Sequence, residues 1–149
     1  MKLINIILFL VIQFTFAQDK FTYSPTGIND FIIVEVPDMY KSELYNKAFN
    51  WIKETYKNPD AVLTFKIENE KLNISAIAKN LLTVKRYSFN LDYTIEISFK
   101  DNRYKFELSS LTYNNSTDYK KIPDFKTNKK LVKNLGQTSY NIENHFNAL

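Results

Sequence analysis

Phe31–Asp60, FIIVEVPDMYKSELYNKAFNWIKETYKNPD, decides how the rest of the chain is read. Ile32, Val34 and Val36 alternate with Phe31, Ile33 and Glu35, which predicts a strand that is apolar on one face and nearly so on the other. Such a strand belongs inside a sheet. Pro37 has no N–H to give to a ladder and ends it. From Lys41 to Tyr56 the period changes to 3.6: Leu44, Ala48, Trp51, Ile52 and Thr55 share one stripe, flanked by Tyr45, Phe49 and Tyr56. Glu43, Asn46, Lys47, Asn50, Lys53 and Glu54 fill the opposite arc. Ser42 or Asp38 is the candidate N-cap, and Glu43 suits the positive end of the helix dipole. Asn58-Pro59 stops the helix, because a residue before proline is pushed out of the α region.

Working outward, the period then becomes two. Val62–Ile67 and Leu72–Ala78 form a predicted hairpin joined by the polar Glu68-Asn69-Glu70-Lys71. Leu81 and Leu82 lead into the longest alternation, in which Tyr87, Phe89, Leu91, Tyr93, Ile95, Ile97 and Phe99 face one way. Arg86, Ser88, Asn90, Asp92, Thr94, Glu96, Ser98 and Lys100 face the other. Asp101-Asn102 suits a two-residue turn with positive φ. That turn pairs Phe99 with Tyr104, Ile97 with Phe106 and Ile95 with Leu108, placing all six on one face. Leu111 and Tyr113 are out of phase with Leu108, which predicts a bulge near Ser109-Ser110.

Asn114–Asp118 is a predicted loop. Lys129–Phe146 then places Leu131, Leu135, Ile142 and Phe146 on one helical stripe. Gly136 weakens that helix by about 1 kcal/mol, so a break between Asn134 and Thr138 is compatible with it. The fold class is α+β, in the order β-α-β-β-β-β-α: an antiparallel sheet with two helices on one face.

The ends of the chain set its compartment. Lys2, the apolar run Ile6–Ile12 and the Phe-Thr-Phe-Ala ending describe a signal peptide over residues 1–17, cleaved after Ala17. The run is far shorter than the roughly 20 residues of a spanning helix, so no stable membrane insertion is expected after cleavage. Residues 18–30 form an N-terminal extension, and 31–149 a single domain. The chain has no cysteine. It therefore carries no disulfide, no thiolate metal site and no lipidated N-terminal cysteine, which excludes a lipoprotein. The formal charge of +4 drops by one when Lys2 leaves, too little to imply nucleic acid. Only Lys120–Lys133 is locally basic, the pattern of a solvated face.

Val34-Glu35-Val36-Pro37, then Lys41, Glu43-Leu44-Tyr45-Asn46-Lys47-Ala48 and Trp51-Ile52, resemble a family of exported proteins of Bacteroides-type bacteria, the domain of unknown function DUF4468 with a TBP-like fold. The Phe-Ala-Gln ending of the leader is similar to those common in the same bacteria. The resemblance covers about Phe31 to Tyr113, and the helix with its tryptophan is its most specific part. Asp38 and Tyr40 stand where a glycine and a small capping residue are expected, and Ala76 and Ala78 where glycines are usual. The resemblance implies a strand, a helix, a four-strand meander and a closing helix. It brings no catalytic residue.

A search for chemistry yields no catalytic, cofactor-binding or metal-binding residues, and no cofactor is implied. His145 is the only histidine and is expected to be a surface residue, because a triad or zinc site needs partners that the sequence lacks. Gly27 and Gly136, the only glycines, build no phosphate loop. Asp92 and Glu96 lie on the outward face among Arg86, Lys100, Arg103 and Lys105, where cross-strand ion pairing accounts for them. The sequons at Asn73, Asn114 and Asn115 mean little in a bacterial protein. Trp51, at the centre of an apolar stripe, is expected in the core, while Tyr45, Tyr87, Tyr93 and Tyr104 fall on apolar faces where some line a groove. The likeness to TATA-binding proteins is one of shape only. The free sheet face carries acids and lacks the apolar wedges that open a minor groove.

The expected function is that of an exported, periplasmic or secreted, non-enzymatic binding domain. It would use the polar sheet face, a helix–sheet cleft or a sheet edge to hold a protein, peptide or small ligand. The alternatives are an enzyme acting on an extracellular polymer, which needs two acids roughly 5 to 9.5 Å apart in a cleft, and a structural or assembly domain of the cell envelope.

Overall fold

The structure is a computed structural model and describes residues 20–24, 27–28, 30–84, 87–114 and 137–149. Its elements are β1 (Tyr23–Ser24), β2 (Gly27–Ile28), β3 (Phe31–Glu35), α1 (Lys41–Thr55), α2 (Pro59–Val62), β4 (Leu63–Ile67), β5 (Lys71–Val84), β6 (Tyr87–Lys100), β7 (Arg103–Asn114) and α3 (Gln137–Asn147). The leader, the basic stretch Lys120–Lys133, Arg86, Leu131, Leu135 and Gly136 lie outside the described residues.

β1 and β2 pair with each other, and the other five strands form one antiparallel sheet in the order β3-β7-β6-β5-β4. Strand β3 is thus an edge strand, not the interior one its composition predicts. The meander from β4 to β7 uses up the interior positions through sequence-adjacent pairing. The unit β3–α1 carries the chain across the sheet, and the strands walk back to meet β3. Phe31 and Ile33, the apolar residues of its second face, are consequently exposed at 47% and 37%.

The long hairpin matches the predicted register: Phe99↔Tyr104, Ile97↔Phe106 and Ile95↔Leu108. Asn102 takes the positive φ, 66°, a conformation asparagine tolerates. The pairing shifts between Thr94↔Ser110 and Ile95↔Leu108, leaving Ser109 as the extra residue. Its hydroxyl donates to the Thr94 carbonyl at 3.2 Å. This bulge returns Leu111 to the inner face, where it is fully buried.

Strand β5 runs further than predicted, to Val84, because it absorbs an irregularity between Ala78↔Leu91 and Leu82↔Phe89. Asn80 sits there at φ 55°, and its N–H donates to Asn90 Oδ1 at 3.0 Å. Two extra residues keep the parity, so Ala78 and Leu82 are both buried. The turn α2, with Pro59 at its start, is also additional to the predicted order. Proline's fixed φ and missing N–H suit a first helical position.

Helix α1 begins within one residue of its predicted limits but is capped differently. Its N-cap position, Tyr40, makes no side-chain hydrogen bond, and neither Ser42 nor Asp38 supplies one. Asp38 instead adopts φ 62° in the turn after Pro37. The cap is Asp101, whose Oδ1 accepts the Lys41 N–H at 2.9 Å. The backbone completes the dock: Val36 N–H donates to Asn102 O at 2.7 Å and Asn102 N–H to Met39 O at 2.8 Å.

Leu44, Tyr45 and Ile52 of α1, Ile142 and Phe146 of α3, and the inner residues of β5, β6 and β7 form one core. Thr55, at the end of the α1 stripe, is exposed. The segment before β3 joins the core through Phe21, 1% exposed, whose ring lies 5.7 Å from Phe106 and 6.0 Å from Phe146.

Candidate functional site

Helix α1 lies over β5, β6 and β7, and its most buried residues are Leu44, Tyr45 and Ile52. Trp51 and Lys47, four residues apart, are neighbours on one shoulder of that stripe. This shoulder overhangs the β3 side of the sheet, where Ile32 and Val36 remain half-buried. The small Ala48 does not fill the interval.

 The result is a cleft of about 470 Å³ between helix and sheet, within the size range of small-molecule sites.

Its helix wall is Leu44, Lys47, Ala48 and Trp51. The sheet contributes Ile32, Val34 and Val36 from β3, Ile97 and Phe99 from β6, and Tyr104 and Phe106 from β7. Phe146, Asn147, Leu149 and Lys20 close the far end. Trp51 is held edge-on by Tyr56, with ring centres 6.0 Å apart. The Tyr56 hydroxyl meets that of Tyr93 at 3.1 Å. Burial, and then this bond, push the Tyr56 hydroxyl well above the ordinary phenol range, and burial raises Tyr104 as well. Both are neutral phenols at physiological pH.

The far end is fastened by Asn147. Its Nδ2 donates to the Phe21 carbonyl and its Oδ1 accepts the Phe21 N–H, both at 2.8 Å. Both atoms of this amide are therefore engaged by backbone. Among the described residues no aspartate or glutamate side chain lines the cleft, and its charged side chains are Lys20 and Lys47.

The residues tested for chemistry are dispersed. Trp51, expected in the core, is half-buried and forms cleft wall, because it sits on the shoulder of the stripe and the β3 edge leaves it uncovered. Lys47, assigned to the solvated arc, also borders the cleft. Tyr104 lines it as a groove tyrosine, whereas Tyr45 and Tyr93 are buried in the core. His145 is not a surface residue: it is half-buried, 5.7 Å ring to ring from Tyr93, and its buried Nε2 has no hydrogen-bond partner among the described residues. Burial lowers its pKa below 6.5.

Glu96 does form an ion pair, but with Lys71 on β5 at 2.8 Å, which lies beside it through the pairing of β5 with β6. Glu107 stands directly opposite Glu96 and pairs with Lys105. Arg103 reaches Glu35 at 3.9 Å. Asp92 and Glu96, four residues apart on one strand, are separated by about 13 Å along it. Among the described residues no group of three or more potential ligands could hold a metal. No described helix is long and apolar enough to cross a membrane.

Sequence periodicity could not reveal the cleft, since it depends on which edge β3 occupies. The one available signal was the pairing of a small residue, Ala48, with a large one, Trp51, on the same helix face.

Two solved structures share this architecture. A TBP-like protein from Parabacteroides distasonis superposes with a TM-score of 0.57 at 22% identity, over 78% of this chain and 85% of its own. A DUF4468 family protein from Bacteroides ovatus gives a TM-score of 0.58 at 12% identity, over 83% and 81%. At such identities the likeness establishes the fold. No curated protein matches the chain. The sequence profile of the domain of unknown function DUF4468 with TBP-like fold matches residues 32–114, from the start of β3 to the end of β7. The chain belongs to this family.

Proposed function

We propose that the protein is an exported, non-enzymatic binding domain whose ligand occupies the cleft between α1 and the β3 side of the sheet. The carrying observation is the cleft itself: about 470 Å³, walled mainly by apolar and aromatic side chains. Export rests on the features of residues 1–17. The enzyme alternative would need a pair of acids in the cleft, and the described lining holds none.

Trp51 is the only tryptophan, so its fluorescence reports on the site directly. The neutral probe N-phenylnaphthylamine is expected to bind saturably at one site and to change Trp51 emission. Ala48→Phe, which fills the cleft, is expected to weaken binding at least about tenfold. Ala48→Leu, a milder filling, gives an intermediate loss, and circular dichroism verifies that each variant is folded. Undiminished binding in both folded variants, or no saturable binding by the wild type, contradicts the reading.

A second reading, assembly in the envelope, is favoured by the opposite edge. Phe65 and Ile67 on β4 are exposed, as is Ile77 on the neighbouring β5, and an apolar edge strand is a template for pairing. Concentration-dependent sedimentation abolished by Phe65→Glu supports it, and a monomer at high concentration counts against it.

A further inference from the structure

Among the described residues the charged side chains of the cleft are of one sign, and this restricts what it can hold. Building on the reading that the cleft is the binding site, we propose that its ligand is an amphiphilic anion, an apolar chain ending in a carboxylate, with the chain against the apolar walls and the carboxylate beside Lys47, Lys20 adding a second positive charge to the lining.

Val34, Leu44, Ala48, Phe99 and Phe106 offer the ligand no side-chain hydrogen-bonding group. A polar body placed against them would lose its hydration without compensation, whereas an apolar chain gains about 0.8 kcal/mol for each CH₂ it buries. The head group is selected by what remains. Asn147 has both amide atoms engaged by the Phe21 backbone at 2.8 Å. The Tyr104 hydroxyl is neutral. Among the described residues Lys47 and Lys20 are the charged side chains at the cleft, with no acidic side chain lining it. Lys20 also makes a contact of its own within the protein, so Lys47 is the principal partner of the carboxylate. Its position four residues before Trp51 puts a long, flexible stem beside the indole, with an ammonium able to stay in water until the ligand arrives.

Charge complementarity of this kind distinguishes ligands sharply. An ammonium–carboxylate hydrogen bond in a partly desolvated site contributes more than a neutral one, and a cationic head group in the same place is repelled.

The test is displacement of bound N-phenylnaphthylamine by decanoate, decanol and decyltrimethylammonium, each below its micelle concentration. The wild type is expected to bind decanoate roughly ten- to a hundredfold more tightly than decanol, and decyltrimethylammonium least. Raising the salt should narrow that gap. Lys47→Met should remove most of the preference for decanoate over decanol, and Lys47→Met with Lys20→Met should remove it entirely. Both lysines are exposed, so these variants keep the fold. Equal affinity for decanoate and decanol, as follows if another carboxylate already neutralises the lysines, overturns the inference and leaves the cleft reading standing. A preference that survives the double substitution overturns it too. Failure of the neutral probe itself to bind overturns both.

Discussion

Asp101 caps a helix from 60 residues away. The α1 N-terminus has orphan N–H groups like any helix, and Tyr40 at the N-cap gives them no side-chain acceptor. The β6–β7 turn brings the acceptor instead, so one carboxylate ties α1 to the far end of the meander. Asp101→Ala is expected to lower stability by about 1 kcal/mol, the usual worth of a cap, as read by urea unfolding. No scan for capping residues near Lys41 finds Asp101, because the register that delivers it is set by the turn at Asn102. His145 shows the same limit. With no second histidine or cysteine to join it, a surface position is expected, yet its ring lies against Tyr93.

Burial holds the His145 pKa below its ordinary 6.5, so the unfolded chain takes up the proton first as pH falls. Unfolding is then favoured progressively from about pH 6.5 down to the folded-state value, while above 6.5 the group has no effect. His145→Phe, which removes the titrating ring nitrogens, is expected to flatten the dependence of thermal stability on pH between about 7 and 5. An unchanged slope would show that His145 is not the group responsible.

At the scale of elements, the legible features were those set by neighbouring residues. The α1 limits, the β6–β7 register and the bulge at Ser109 follow from period and turn chemistry alone. The position of β3 does not, because an edge strand with two apolar faces looks like an interior one. Strand β5 runs past its predicted end at Ala78, because two extra residues between Ala78 and Leu82 restore its parity.

The element least expected to matter lies before β3. Phe21 is clamped by Asn147 and packed against Phe106 and Phe146. Asn147→Leu removes both hydrogen bonds of the clamp. The Phe21 amide is then expected to lose its hydrogen-exchange protection while amides of β6 and β7 keep theirs, since local opening need not involve the whole domain. Equal loss throughout would mean that the clamp holds the global fold.

For the molecule as a whole, the antiparallel sheet with both helices on its apolar face was legible, and the cleft was not. It arises from three things that act together: β3 at an edge, α1 laid over the central strands, and Ala48 too small to close the interval. Each is visible only when the topology is known. On the polar face the Ser75 and Thr94 hydroxyls lie 3.0 Å apart, and Glu96 and Glu107 are each matched by a lysine. Binding at the cleft and binding at that face or at the β4 edge therefore make opposite predictions for where a ligand is felt. The deciding measurement is the map of amide and indole chemical-shift changes on titrating the protein with N-phenylnaphthylamine. The largest changes are predicted at Val34, Ala48, Tyr104 and the Trp51 indole. Largest changes at Thr94, Glu96 and Ser98, or along Leu63–Ile67, would contradict the account.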